Sequence, residues 1–135
     1  EPDGFVKIGG HSKGGGEALL FAAYLVGGGF WQTTGVHVFG APAVGDAEFA
    51  KLFDHSLGLV TFRHVFRSDV VARAPIFLRL RGIYRDVGQL VYHSPAGRTF
   101  RPSPIRKAVD FVRAFSRVRG RRDHDLWNYI QGLEK

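Results

Sequence analysis

The sequence predicts an α/β fold, a parallel sheet with flanking helices, and three observations carry that prediction. Short apolar runs at 5–9, 36–39 and 59–66 read as strands, and segments of helical period alternate with them. Glycine and proline clusters punctuate the boundaries, at Gly27-Gly28-Gly29 and Gly40-Ala41-Pro42. The string Gly10-His11-Ser12-Lys13-Gly14 joins the first strand to the first helix in the G-x-S-x-G form, which places a serine on a sharp strand-to-helix turn.

The elements follow in order. Residues 5–9 form a buried strand, and 14–26 form the helix behind the turn, with Leu19, Ala22, Ala23 and Val26 at helical spacing. The glycine triplet at 27–29 stops that helix. The second strand, 36–39, leads to Asp46, an N-cap for a helix through about His55 that buries Phe49, Leu52 and Phe53. The third strand, 59–66, sets Val60, Phe62, His64 and Phe66 on one side and Thr61, Arg63 and Val65 on the other. Residues 83–87 and 89–93 read as extended, and 94–97 as a turn. Ser103-Pro104 opens a helix whose buried stripe is Ile105, Val109, Val112 and Phe115. A short last helix carries Leu126, Trp127, Tyr129 and Ile130.

Composition narrows the class. The 135 residues, 44% apolar, are expected to form one domain with a real core, and no repeat or low-complexity tract interrupts them. No apolar stretch reaches the roughly 18 residues that a membrane span needs. The absence of cysteine excludes disulfides and thiolate metal sites. The absence of methionine, with a strand starting almost at residue 1, points to a fragment or a processed chain.

Nineteen lysines and arginines against 12 acids give a net charge of +7. Much of the excess lies late, at Arg98, Arg101, Arg106, Lys107, Arg113, Arg117, Arg119, Arg121 and Arg122. This excess reads first as a solvated helix face and a basic loop, and it also suits peripheral contact with an anionic membrane. Nucleic acid is a poor fit, because no aromatic platform interleaves with the charge. A phosphate loop is excluded on chemistry, since Lys13 precedes the second glycine of the string and no Ser or Thr follows it.

A serine is a weak nucleophile unless a base takes its proton and an acid orients that base. In folds built on such a turn the order is serine, acid, histidine. Ser12 is the candidate nucleophile. Asp69, in the loop after the third strand, is the candidate acid; Asp46 and Asp54 belong to a helix and Asp86 to an extended segment. Only His93 and His124 follow Asp69, and His124, in a loop before the last helix, is preferred as base. His11 is expected to point away from the nucleophile. The backbone N–H of Lys13, at a helix N-terminus, is a candidate oxyanion donor.

From about residue 6 to residue 129 the chain resembles the class 3 lipase family, the fungal-type triacylglycerol lipases of the α/β-hydrolase superfamily. Gly10-His11-Ser12-Lys13-Gly14-Gly15 is similar to the family's elbow, and Phe39-Gly40-Ala41-Pro42-Ala43-Val44-Gly45-Asp46 to its second signature. Phe66-Arg67-Ser68-Asp69-Val70-Val71, with Pro75, resembles the acid segment, and His124-Asp125-Leu126 with Tyr129 the histidine segment. The resemblance implies a serine ester hydrolase acting on a lipid or small ester through Ser12, Asp69 and His124, with no metal or organic cofactor. The sequence departs from the pattern at Lys13, where leucine is usual, at Ala43, where arginine is common, and at Asp86, where histidine is frequent.

It also implies a partial α/β-hydrolase fold, in which the N-terminal strands, the lid and a second oxyanion donor are absent from these residues. The isolated 135 residues are accordingly expected to be weak catalysts. The alternative reading is a non-catalytic lipase-like domain that binds acyl ligands or a partner protein.

Overall fold

The computed structural model describes residues 4–29, 32–94, 99–100 and 122–133, with single positions at 103, 105 and 109. Strand β1 (Phe5–His11) passes into helix α1 (Lys13–Gly27), which returns the chain to β2 (Gln32–Phe39). Helix α2 (Ala47–Leu57) repeats the crossover and delivers β3 (Thr61–Phe66). A short helix α3 (Ile76–Leu80) precedes β4 (Gln89–His93). Crossovers of this kind make β1 to β4 parallel, and the sheet has the order β1-β2-β3-β4-β5. Strand β5 (Thr99–Phe100) adds antiparallel to β4, and helix α4 spans Leu126–Leu133.

The register sorts side chains onto two faces. Ile8 lies opposite Val36 and Gly10 opposite Val38. Val36 and Val38 are fully buried with Ala18, Leu19 and Ala22 of α1 and Ala50, Phe53 and Leu57 of α2. That layer is the main core, and its alternation in β2 is what half-buried strands require.

The opposite face is aromatic. Phe39 stacks on His64 with ring centroids 4.4 Å apart, and His64 stacks on both His37 and His93. Tyr129 of α4 packs edge-on against Phe39 and Phe66. Helix α4 therefore belongs to the face away from α1 and α2.

Several expectations change. β1 runs on to His11 and β2 starts at Gln32, so both are longer than their apolar stretches. β3 begins at Thr61, because Gly58–Val60 is a 3-10 turn that leaves Leu59 exposed. Leu52 is exposed rather than buried on α2.

Residues 83–87 are not a strand. Gly82 and Gly88, with φ of 71° and 68°, bend the chain on both sides, and only Arg85 makes a bridge, to Gly45. Between them Asp86 is drawn to Arg63, at 3.0 Å, and to Arg79. Arg63 is buried, and that burial pulls its guanidinium below its usual pKa against the opposing pull of Asp86. Ile105 and Val109 are exposed, at variance with the buried stripe read for them. Val112 and Phe115, the turn at 95–97 and the late basic cluster apart from Arg122 lie outside the described residues.

Candidate active site

The candidate residues meet where parallel strands end. Ser12 sits between β1 and α1, Gly40 follows β2, and Asp69 follows β3, all at C-terminal strand ends. Ser12 holds φ 59° and ψ −129°, a left-handed conformation that side chains avoid. Its N–H donates to the Phe39 carbonyl at 2.9 Å, and its own carbonyl accepts from Gly15 and Gly16 as α1 begins.

The turn needs particular glycines. A Cβ at Gly10 would lie 2.3 Å from the Gly14 carbonyl oxygen, and one at Gly15 would lie 2.7 Å from the Ala41 Cβ. At Gly14 a Cβ would meet nothing among the described residues. Space is thus demanded at Gly10 and Gly15.

From Ser12 a line of hydrogen bonds runs inward. Ser12 Oγ lies 2.8 Å from His124 Nε2, and His124 Nδ1 lies 3.0 Å from both carboxylate oxygens of Asp69. A carboxylate only accepts, so Nδ1 carries the ring proton and Nε2 offers its lone pair to the serine hydroxyl. Asp69 is fully buried and well supplied with donors. Its Oδ1 accepts from the N–H groups of Val71, at 2.8 Å, and Ala72, at 3.2 Å. Its Oδ2 accepts from the Tyr129 hydroxyl at 2.5 Å. Burial first, and Asp69 second, push the Tyr129 phenol far above its ordinary pKa, so it remains a proton donor to the carboxylate.

At the surface end, Lys13 opens α1, where the first backbone N–H groups have no partner within the helix. The Lys13 side chain points to solvent and pairs with Glu17 at 3.3 Å. Its N–H therefore sits beside Ser12 with the helix dipole behind it.

The competing groups are occupied elsewhere. Asp46 caps α2 through the Phe49 N–H, and Asp54 accepts from Gly88. His93 is fully buried, and its Nε2 lies 2.8 Å from His64 Nδ1. His64 Nε2 lies 3.1 Å from His37 Nδ1, so three imidazoles form a row on the aromatic face. Burial pulls His93 below its ordinary pKa, and burial with its two neighbours brings His64 to about 4.

Sequence reasoning set His11 aside as pointing away, and the structure corrects this. His11 stacks on His124, with centroids 4.8 Å apart, because the last residue of β1 faces the same side as Phe39. Tyr129 was read only as a helix residue within a motif; its spacing after His124 was the available signal. Gly40 and Asp123, whose Oδ2 accepts from the Ser68 N–H at 3.1 Å, were also missed.

An α/β sheet with a strained serine at its first strand-to-helix turn, facing an imidazole and a buried carboxylate, is the arrangement of an α/β-hydrolase fold. Residues 1–78 match the family described as lipase (class 3), and the chain belongs to that family. The matched stretch includes Ser12 and Asp69 and ends before His124.

Among solved structures the chain is similar to MDLA from Penicillium cyclopium, at 25% identity and a TM-score of 0.56 over 76% of this chain and 33% of that one. It is also similar to a mono- and diacylglycerol lipase from Aspergillus oryzae, at 22% identity and a TM-score of 0.58, again over 76% of this chain and 33% of that one. Lipase II from Rhizopus niveus matches at 24% identity and a TM-score of 0.57, over 64% of this chain and 32% of that one. The chain thus spans about a third of the length of these proteins, with which it shares the fold. No curated protein matches it.

Proposed function

We propose that this chain is a catalytic portion, in one domain over residues 1–135, of a serine hydrolase that cleaves lipid-like carboxylic esters. Ser12 is the nucleophile, His124 the general base, Asp69 the orienting acid, and the Lys13 N–H one oxyanion donor. The observation that carries this reading is the hydrogen-bond line from Ser12 through His124 to Asp69, at 2.8 and 3.0 Å. Family membership and the fold of the fungal lipases support the lipid ester as substrate class.

The steps follow from the geometry. Ser12 Oγ adds to the ester carbonyl carbon while its proton passes to His124 Nε2. The oxyanion is met by the Lys13 N–H at the start of α1. His124 then returns the proton to the leaving alcohol, and the C–O bond breaks to leave an acyl-Ser12. Water, deprotonated by the same nitrogen, hydrolyses that acyl group and restores the serine. Asp69 keeps the Nδ1 proton in place and stabilises the imidazolium formed in each half. Peripheral contact with an anionic membrane surface, through the basic C-terminal third, would deliver the lipid.

The test is labelling by a fluorophosphonate together with hydrolysis of short nitrophenyl esters, in the complete protein. Both are expected in the wild type and lost in Ser12→Ala. A wild type that neither labels at Ser12 nor cleaves the esters sinks the proposal.

A further inference from the structure

Asp69 and Ser12 each contact one edge atom of the His124 ring. Two edge contacts leave the ring free to tilt about the line that joins them. Its backbone lies in a turn just before α4, where a small rotation would carry Nε2 away from Ser12.

His11 supplies what those contacts do not. Its Nε2 lies 2.9 Å from the His124 carbonyl oxygen, across 113 positions of sequence. A carbonyl only accepts, so His11 Nε2 carries a proton and donates it, which fixes the peptide from which the His124 side chain springs. The two rings also lie face to face, at 4.8 Å and 25° between planes, so His11 blocks tilting toward its own side. Tyr129 abuts His11 edge-on at 5.9 Å and keeps that ring from retreating. The other side of the turn is pinned by Asp123 on the Ser68 N–H.

We propose that His11 is a positioning residue for the general base: it clamps the His124 peptide through a hydrogen bond and supports the His124 imidazole by stacking. The inference rests on the serine-hydrolase reading. His11 neither gives nor takes a proton in the reaction. The proton moves only between Ser12 Oγ, His124 Nε2, the leaving alcohol and water, and the stacked face of His11 borders the ring that becomes cationic.

The experiment compares His11→Ala, His11→Gln and His11→Phe in the complete protein, with kcat and KM on a short nitrophenyl ester, the fluorophosphonate labelling rate, and Tm. Glutamine keeps an N–H donor at a similar reach, and phenylalanine keeps the ring and its volume without the donor. Misplacing a reacting group by a fraction of an ångström to one ångström lowers rates by roughly 10–100-fold, so His11→Ala is expected to lose at least about tenfold in kcat. Its KM should stay within about twofold, the pattern of an interaction that acts on the transition state. Glutamine and phenylalanine should each restore part of the rate, and labelling should slow in parallel with kcat.

The positioning role is overturned if His11→Ala and His11→Phe keep wild-type kcat. It is equally overturned if all three variants lose rate only in proportion to a lost folded fraction. An inactive, unlabelled wild type overturns the serine-hydrolase reading itself, so the two failures are told apart.

Discussion

Gly40 offers the sharpest test of how tightly the site is built. A Cβ there would lie 2.5 Å from Asp69 Oδ2 and 3.1 Å from both His124 Nδ1 and the Tyr129 hydroxyl, and the residue holds φ +58°. Two effects follow for Gly40→Ala. The left-handed backbone costs an alanine about 1 kcal/mol. The steric term is larger, because reaching ordinary contact at about 3.4 Å displaces the carboxylate by nearly 1 Å, and overpacking of this kind costs about 1–3 kcal/mol. The carboxylate cannot move alone, since it holds His124 at 3.0 Å and accepts from two backbone N–H groups.

A misplacement near 1 Å lowers the rate by about 10²-fold, equivalent to roughly 2.7 kcal/mol of barrier. Gly82→Ala is the control. Gly82 has φ +71°, but among the described residues its Cβ would meet only the end of the Arg85 side chain, at 3.4 Å. It should lose about 1 kcal/mol of stability and keep full activity. The assay is kcat/KM on a nitrophenyl ester beside urea denaturation. Gly40→Ala that keeps its activity within threefold, or that matches Gly82→Ala in both measurements, refutes the reasoning.

Three further outcomes are expected. Tyr129→Phe removes the donor to Asp69 Oδ2 and strands the Phe66 N–H that the hydroxyl accepts; unfolding free energy should fall by about 1–3 kcal/mol and kcat by about tenfold. Asp86→Ala leaves the buried Arg63 guanidinium without its carboxylate, which should cost roughly 3 kcal/mol in urea denaturation while Ser12 still labels. The third concerns acid. Burial first, and then His93 and His37, hold the folded His64 at about 4 against 6.5. The unfolded chain therefore binds more protons between those values. Stability is complete above about pH 6.5, falls as pH drops toward 4, and by linkage loses on the order of 3 kcal/mol in that window. Replacing His64 by leucine should flatten that part of the pH–stability curve.

What could be read from the sequence was what local chemistry dictates. Glycines around Ser12, an apolar run before it and helical spacing after it announced the elbow, since the crowding at Gly10 arises within the turn itself. The order Ser12, Asp69, His124 needed no coordinates either. The misses share a cause in tertiary contact. Residues 83–87 carry apolar side chains at extended spacing, yet Asp86 answers two arginines brought to it from β3 and α3. Leu59 has strand character, but Gly58 closes the preceding helix and the chain must turn before it can pair. His11 was misplaced because its importance depends on a partner 113 residues away. No window of sequence contains both.

That separation has a consequence for how the protein is made. Chains grow from the N-terminus, and elements that contact one another locally settle first. A chain stopped anywhere before residue 124 can hold the bent serine and its carboxylate, but it has no imidazole between them and nothing for His11 to clasp. On the proposed reading, premature termination upstream of α4 therefore yields an unarmed product, because the hydroxyl of Ser12 meets its base only when segments 112 positions apart come together.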